Sequence, residues 1–435
     1  MIRTSIWKTV AAAAVATSTV VGGSAVATGA VAEGQVVAKA TSPSDPTSGK
    51  NQLSYTVGGE QTATVDVACK DAVDDAAVIN TAIENSPEDS RIRIHGTCSI
   101  NEVVRLAGGR TYEGDSRGTV LVQADGAGLP AILASDSWVD NSSTTGLPIT
   151  VQNIAINGNV ANNAGASTAG IIARSWQSFF QDLHVFSMPG DGIRVTNLSA
   201  DGTRLNNTQV NGVIRNNFIE HSGRYGVYVE DKGGEAEPFV EREDDGTGPT
   251  TGLTGPAQIG NSVTDWQLVG NYIASSGADS VRLENAAGWY VKNNHIYGVN
   301  GNAIWANRVF GTSISDNYIE GFGNDPDGGT WHGIFVTVQG NAESTIANNR
   351  VLHLHPYVEG STYRFISVGK VNYGTGFLNV VGNSIVGRDP AVGTAFHYNN
   401  GASGQSLTVT SSGNAVAKVS TPQQINANVT VSSGI

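Results

Sequence analysis

Two short stretches of the chain end in a carboxylate: "VYVE" closes on Glu230 and "VRLE" closes on Glu284. Both alternate an aliphatic residue with a polar or aromatic one, the pattern of a half-buried strand. Two carboxylates presented on neighbouring strands are the equipment of glycosidic-bond chemistry. One protonates the leaving oxygen, and the other attacks the sugar or activates water. Strands ~4.8 Å apart would bring the pair near the ~5–5.5 Å used by retaining enzymes. Carboxylates that close push one pKa upward, so an acid and an anion coexist. Arg282 is placed to hold the anion, and Asp231 and Asp279 are the alternates if the register shifts by a residue.

The two glutamates become neighbours only if the chain repeats. "VIRNNFIEHSGRYGVYVED" (213–231), "QLVGNYIASSGADSVRLEN" (267–285) and "YVKNNHIYGVNGNAIWANR" (290–308) are versions of one unit, and partial copies follow to "TAFHYNN" at 394–400. Each unit is a short apolar strand, an Asn-x-Ile-like step, a Gly-containing turn and a second strand reading Gly-Ile-x-Val. Ile273, Ile296 and Ile319 recur at intervals of 23 residues, a solenoid period. No unit can bury its apolar face alone, whereas stacked units share one core. The framework is Ile/Val with Asn and Gly rather than Leu, which selects β-strands over a leucine-rich repeat. Asn217, Asn271, Asn294, Asn317, Asn349 and Asn383 fall in one column and read as a structural amide stack.

Aligning the second strands sorts their side chains. Ile193, Val227, Val281, Ile304 and Ile334 point inward. Arg194, Tyr228, Arg282, Trp305 and Phe335 form the next, outward column. Thr196, Glu230, Glu284, Asn307 and Thr337 form another, with Arg174 joining from the coil before. Flat aromatic faces beside charged and amide groups suit a sugar chain. Arg308 follows Asn307, "GGTWHGIF" brings Trp331 and His332 to the same groove, and "EHSGRYG" brings His221 and Arg224 to its edge. The stretch 231–262 is acidic and rich in Gly and Pro, so it reads as a loop inserted after Glu230.

With these repeats the chain resembles the right-handed parallel β-helix proteins of the pectate-lyase-like superfamily. "DAVDDAAVINTAIENSPEDSRIRIHGTCSI" resembles the opening of that family, an Asp-rich turn and an amphipathic helix at about 74–85 before the first strand. The resemblance covers roughly residues 62–430. It implies an all-β fold, a single solenoid capped by that short helix, and a carbohydrate-active role. The fold itself carries lyases, hydrolases, isomerases and adhesins, so it does not choose among them. The paired-Asp, Gly-His-Gly and Arg-x-Lys signature of polygalacturonases is absent, as is the calcium-aspartate cluster with Arg-x-Pro-x-x-Arg of pectate lyases. Other proteins of this fold form trimers along the solenoid, so a homo-oligomer stays open.

The totals narrow the partners. A net charge of −13 over 435 residues argues against a nucleic-acid binder, which needs a basic face. Arg3 and Lys8, an apolar run through Val10–Val21 and small-residue cleavage sites after Ala27 or Ala32 read as an export signal over 1–32. A Ser/Thr/Gly/Pro-rich linker over 33–60 follows, then the solenoid over 61–435. No later run of 18 apolar residues exists, so no membrane partner is expected. In an exported chain Cys69 and Cys98 read as a disulfide. "HLHP" sets His353 and His355 on one side of a strand without a third metal ligand, so a loop or surface role is preferred. No cofactor is expected. "NDPDGG" offers Asp325 and Asp327 to calcium and reads first as a turn.

The reading that follows is a secreted enzyme cleaving or transferring the glycosidic bonds of a polysaccharide or oligosaccharide, with Glu230 and Glu284 as its carboxylate pair. A lyase or epimerase acting on a uronate polymer through Arg282, Arg194, His221 or Lys232 is the alternative. A non-catalytic glycan-binding adhesin is the third.

Overall fold

The computed structural model describes residues 53–56, 63–232, 262–372, 374–401 and 404–434. The export signal lies outside the described residues, as does nearly all of the 231–262 insertion. Within the stretch read as a linker, Leu53–Thr56 is a strand pairing antiparallel with Thr64–Ala68.

The chain is a right-handed parallel β-helix. Successive coils each contribute one strand to three sheets of 14, 11 and 11 strands. A strand period of two explains the core: alternate residues point inward and meet their counterparts one coil away. In the second sheet Ile219, Ile273, Ile296 and Ile319 pair in register, all fully buried. In the third sheet Ile193, Val227, Val281, Ile304 and Ile334 do the same. Gly192 and Gly226 open two of these third strands because the chain there crosses the second sheet closely. A Cβ on either would stand 2.5 or 2.4 Å from the Cγ2 of Ile219 or Ile273.

The corner between the first and second sheets is built by the asparagine column. Asn271 donates from both its backbone N and its Nδ2 to Asn294 Oδ1, at 3.0 and 2.9 Å. The same double contact links Asn217 to Asn271 and runs on through Asn317, Asn349 and Asn383 to Asn414. Each amide also donates to a strand carbonyl, as Asn294 does to Leu268 O at 2.9 Å. The residue before each asparagine has a left-handed φ, for example Asn293 at 56° and Asp316 at 57°, which turns the corner.

At the N-terminal end the helix Asp75–Glu84 lays Ala76, Ile79, Ala82 and Ile83 on the first coil. Its buried Asp75 accepts backbone N–H bonds from Lys70, Ala72 and Ser99. Cys69 and Cys98 form a disulfide across this cap, closing a loop of 29 residues. Loop-closure entropy assigns it about 3 kcal/mol. Cys69→Ser/Cys98→Ser is therefore expected to lower the urea midpoint of the N-terminal coils, an effect that reductant should reproduce in the parent protein and not in the variant.

Candidate functional site

The outer face of the third sheet gathers most of the residues singled out by sequence. Arg194, Tyr228, Arg282, Trp305 and Phe335 pair in register across five coils. Thr196 pairs with Glu230, and Glu284 with Asn307. Glu230 and Glu284 each follow the paired Val229 and Leu283, so they stand side by side on adjacent strands.

Their surroundings differ. Glu284 is 3% exposed. Its Oε1 accepts from Arg282 Nε at 3.0 Å and its Oε2 from Asn307 Nδ2 at 3.1 Å. Burial raises its pKa to about 7, opposed by Arg282 and assisted by Asp279. The upward shift anticipated from a close carboxylate pair thus has burial as its main cause. Glu230 is more open, with the Lys232 ammonium 2.9 Å from Oε1 and the Thr196 hydroxyl 3.3 Å from Oε2. The two carboxylates have different partners. Glu230 engages Thr196 on the coil before, and Glu284 engages Asn307 on the coil after.

The alternates have other contacts. Asp231 is buried, and its Oδ2 accepts from the backbone of Ser262 and Val263, tying together the two ends of the insertion. Burial holds its carboxyl well above the usual range. Asp279, also buried, takes Arg282 Nη1 at 3.1 Å on Oδ2 and Asn302 N and Nδ2, both at 2.8 Å, on Oδ1. It fixes the guanidinium that holds Glu284.

Rings line both sides of the pair. Tyr228 lies 4.9 Å from Tyr225, and burial with the nearby Glu230 and Glu284 charges pushes its phenol up. Trp305 packs on Phe335 at 4.1 Å, and His332 sits 4.8 Å from Phe335. The Arg282 guanidinium bridges the groups, 5.5 Å from the Tyr225 ring and 5.2 Å from Trp305.

Several sequence candidates stand apart. Arg174 is fully buried and donates to the carbonyls of Ser137, Asn197 and Thr203. It braces a turn rather than facing the groove, and burial draws its pKa down to about 10. His221 has a left-handed φ of 55°, which turns a 64% exposed side chain away at the end of a second-sheet strand. Arg308 is buried against Gln339, its Nε 3.2 Å from Oε1. Trp331 is half-buried, folded over Gly323 and Gly329. His353 points both ring nitrogens at the carbonyls of Phe322 and His355, which leaves neither for a metal. In "NDPDGG", Asp325 Oδ1 accepts from Asp327 N at 3.0 Å, a side-chain-closed turn.

Several site residues went unread in the sequence. Buried Asp191 clamps Arg194 and Arg224, each within 2.8 Å. Asn302 links Asp279 to His332. The signal was present. Asp191, Tyr225, Asp279, Asn302 and His332 all stand two residues before the inward aliphatic of their coil.

No protein-family model and no curated protein sequence matches the chain. Among solved structures it is similar to the A-module of mannuronan C-5 epimerase AlgE6 from Azotobacter vinelandii, with 14% identity and a TM-score of 0.52 over 84% of this chain and 96% of that one. It is also similar to PfbA, a surface adhesin of Streptococcus pneumoniae, with 12% identity and a TM-score of 0.48 over 81% and 90% of the two chains. The likeness to the AlgE6 module bears on the β-helix architecture alone and leaves the chemistry to the side chains.

Proposed function

We propose that the protein is exported and cleaves glycosidic bonds of a polysaccharide laid along the outer face of the third sheet. Glu284 is the general acid and Glu230 the general base. The observation that carries this reading is a pair of adjacent carboxylates in unlike surroundings, one buried and poised to keep its proton to about pH 7, the other more open. Unlike surroundings of this kind support a division into acid and base. The disulfide supports an oxidising destination.

Glu230 is held from the coil before and Glu284 from the coil after. In this reading Glu230 activates water and the product inverts, the alternative to the retaining geometry that strand spacing alone suggests. The test is turnover on a panel of neutral and uronate polysaccharides, following reducing ends, ultraviolet absorbance and the first-formed anomer by NMR. New reducing ends of inverted configuration support the assignment. Retention would make Glu230 a nucleophile. Silence across the panel would refute an enzyme and favour a glycan-binding surface.

Elimination or epimerisation of a uronate is the second reading. It is favoured by the three guanidinium groups of Arg194, Arg224 and Arg282 around Tyr225 and Tyr228. An ultraviolet-absorbing product that survives loss of either glutamate would select it.

A further inference from the structure

One guanidinium serves two buried carboxylates. Arg282 donates from Nε to Glu284 Oε1 at 3.0 Å and from Nη1 to Asp279 Oδ2 at 3.1 Å. Its charge favours the ionised form of either, so what else each carboxylate accepts decides which one keeps a proton. Asp279 accepts two further N–H bonds on Oδ1, from Asn302 N and Nδ2, both at 2.8 Å. The Asn302 amide has one orientation, because its oxygen accepts from the backbone N of His332 at 2.8 Å. Glu284 accepts one further bond, from Asn307 Nδ2 at 3.1 Å. Burial raises both carboxyls, Glu284 to about 7. With three donors against two, Asp279 is the anion and Glu284 takes the proton.

The other titratable groups about Glu284 come from neighbouring coils. The coil before presents Tyr228 and Glu230, with the Lys232 ammonium on Glu230 at 2.9 Å. The coil after presents the Asn307 amide, and Arg308 beyond it gives Nε to Gln339. The Asp279 carboxylate bonds Arg282 and Asn302 alone among the described residues. The sequence writes this clamp twice. "DGIR" (191–194) and "DSVR" (279–282) set an Asp three residues before an Arg, and each Asp pairs with that Arg. Two residues past the arginine the first has Thr196 and the second Glu284. Of the two clamps, the second therefore acts on a carboxylate and the first does not.

We propose that Asp279 is a positioning residue for the acid: it holds Arg282 at a second nitrogen, Asn302 holds Asp279 in turn, and the divided guanidinium leaves the proton on Glu284 near neutrality. The inference rests on the reading of Glu284 as the acid and adds what sets its protonation. Without the Asp279 charge, the attraction of Arg282 would bear more fully on Glu284. That carboxyl would then ionise below neutrality and lack the proton that the leaving oxygen needs. Asp279 acts through Arg282 and touches no bond that changes.

The experiment is carboxyl-carbon NMR on the full chain labelled in its glutamates, without substrate. The Glu284 signal is the one that Glu284→Gln removes, and in the parent it should titrate at about 7. Asp279→Asn keeps the size of the side chain and removes its charge, and it should lower that midpoint by about one pH unit or more. Asn302→Ala withdraws one of the three donors to Asp279 and should shift the midpoint the same way by less. It also serves as the test if Asp279→Asn does not fold. Asp191→Asn, which breaks the other clamp, should leave the midpoint where it is. Where turnover is found, the descending limb of kcat against pH should move with the NMR midpoint. A Glu284 midpoint unmoved or raised in Asp279→Asn, or in Asn302→Ala should that variant stand in for it, would overturn the proposal. So would an equal shift in Asp191→Asn, which would make the effect a general one of losing a buried carboxylate. The readout is separable from catalysis. A shifted midpoint in a chain that turns over no polysaccharide keeps the role of Asp279 and removes the hydrolase, whereas turnover with the midpoint unmoved does the reverse.

Discussion

Glu284→Gln is expected to lower kcat by about 10²–10⁴ while leaving KM nearly unchanged. The amide occupies the space of the carboxyl and can still accept from Arg282, but it has no proton to give the leaving oxygen. The pH profile carries the more specific expectation. The acid must be protonated, so kcat should fall as pH rises through about 7, the value to which burial raises Glu284. That descending limb should disappear from the residual activity of the variant. Stability provides a check independent of substrate. The folded state keeps a proton on Glu284 up to about 7, whereas the unfolded carboxyl releases it near 4.5. The folded chain therefore binds more protons across that window, and stability falls as pH rises through it. Urea midpoints at pH 5 and pH 8 should converge in Glu284→Gln relative to the parent. A parent profile flat through neutrality, or a variant with parental kcat, would remove Glu284 from the acid role.

How much of this was legible in the sequence depends on how local the cause is. The inward and outward columns follow from the two-residue period of a strand, and Gly-Ile-x-Val marks the register of each coil. The asparagine column is visible because a stacked amide needs the same residue at the same corner in every coil. Asn414 extends it one coil further than the repeat alignment reached. Arg174 shows where local reasoning stops. Its column is outward, yet the turn carbonyls of Ser137 and Thr203 cover it, and they come from segments 37 and 29 residues away. His221 stands in a coil whose strand pattern is clear, but a left-handed residue at the corner reverses its direction. Asp191, Asn302 and the relay role of Asp279 were missed because the residues before each inward aliphatic look like turn. In the folded chain they continue the ladder, as the bond from Ala303 N to His332 O shows.

Asn294→Ala is expected to reduce stability by about 4 kcal/mol, from several buried groups losing partners at ~1–3 kcal/mol each. Asn294 Oδ1 receives two hydrogen bonds from Asn271, and its Nδ2 serves Leu268 O and Asn317 Oδ1. Alanine leaves Asn271 N, one Asn271 amide hydrogen and the Leu268 carbonyl unpaired in a corner that is 1% exposed at Asn294 itself. Asn294→Asp should be no better. One oxygen can still accept from Asn271, but the other would face Leu268 O and Asn317 Oδ1, acceptor against acceptor. Position along the column distinguishes a ladder from a general asparagine preference. Asn414 ends the stack and is only part-buried, donating to Val380 O at 2.9 Å, so water can replace much of what alanine removes. Asn414→Ala should cost about 1 kcal/mol. Coils are coupled mainly to their neighbours, so weakening the middle should also divide the unfolding. Calorimetry of Asn294→Ala should resolve two transitions where the parent shows one, while Asn414→Ala only lowers the first part of the curve. Equal losses at the two positions would show that the asparagines act singly at their turns and that the stack adds nothing.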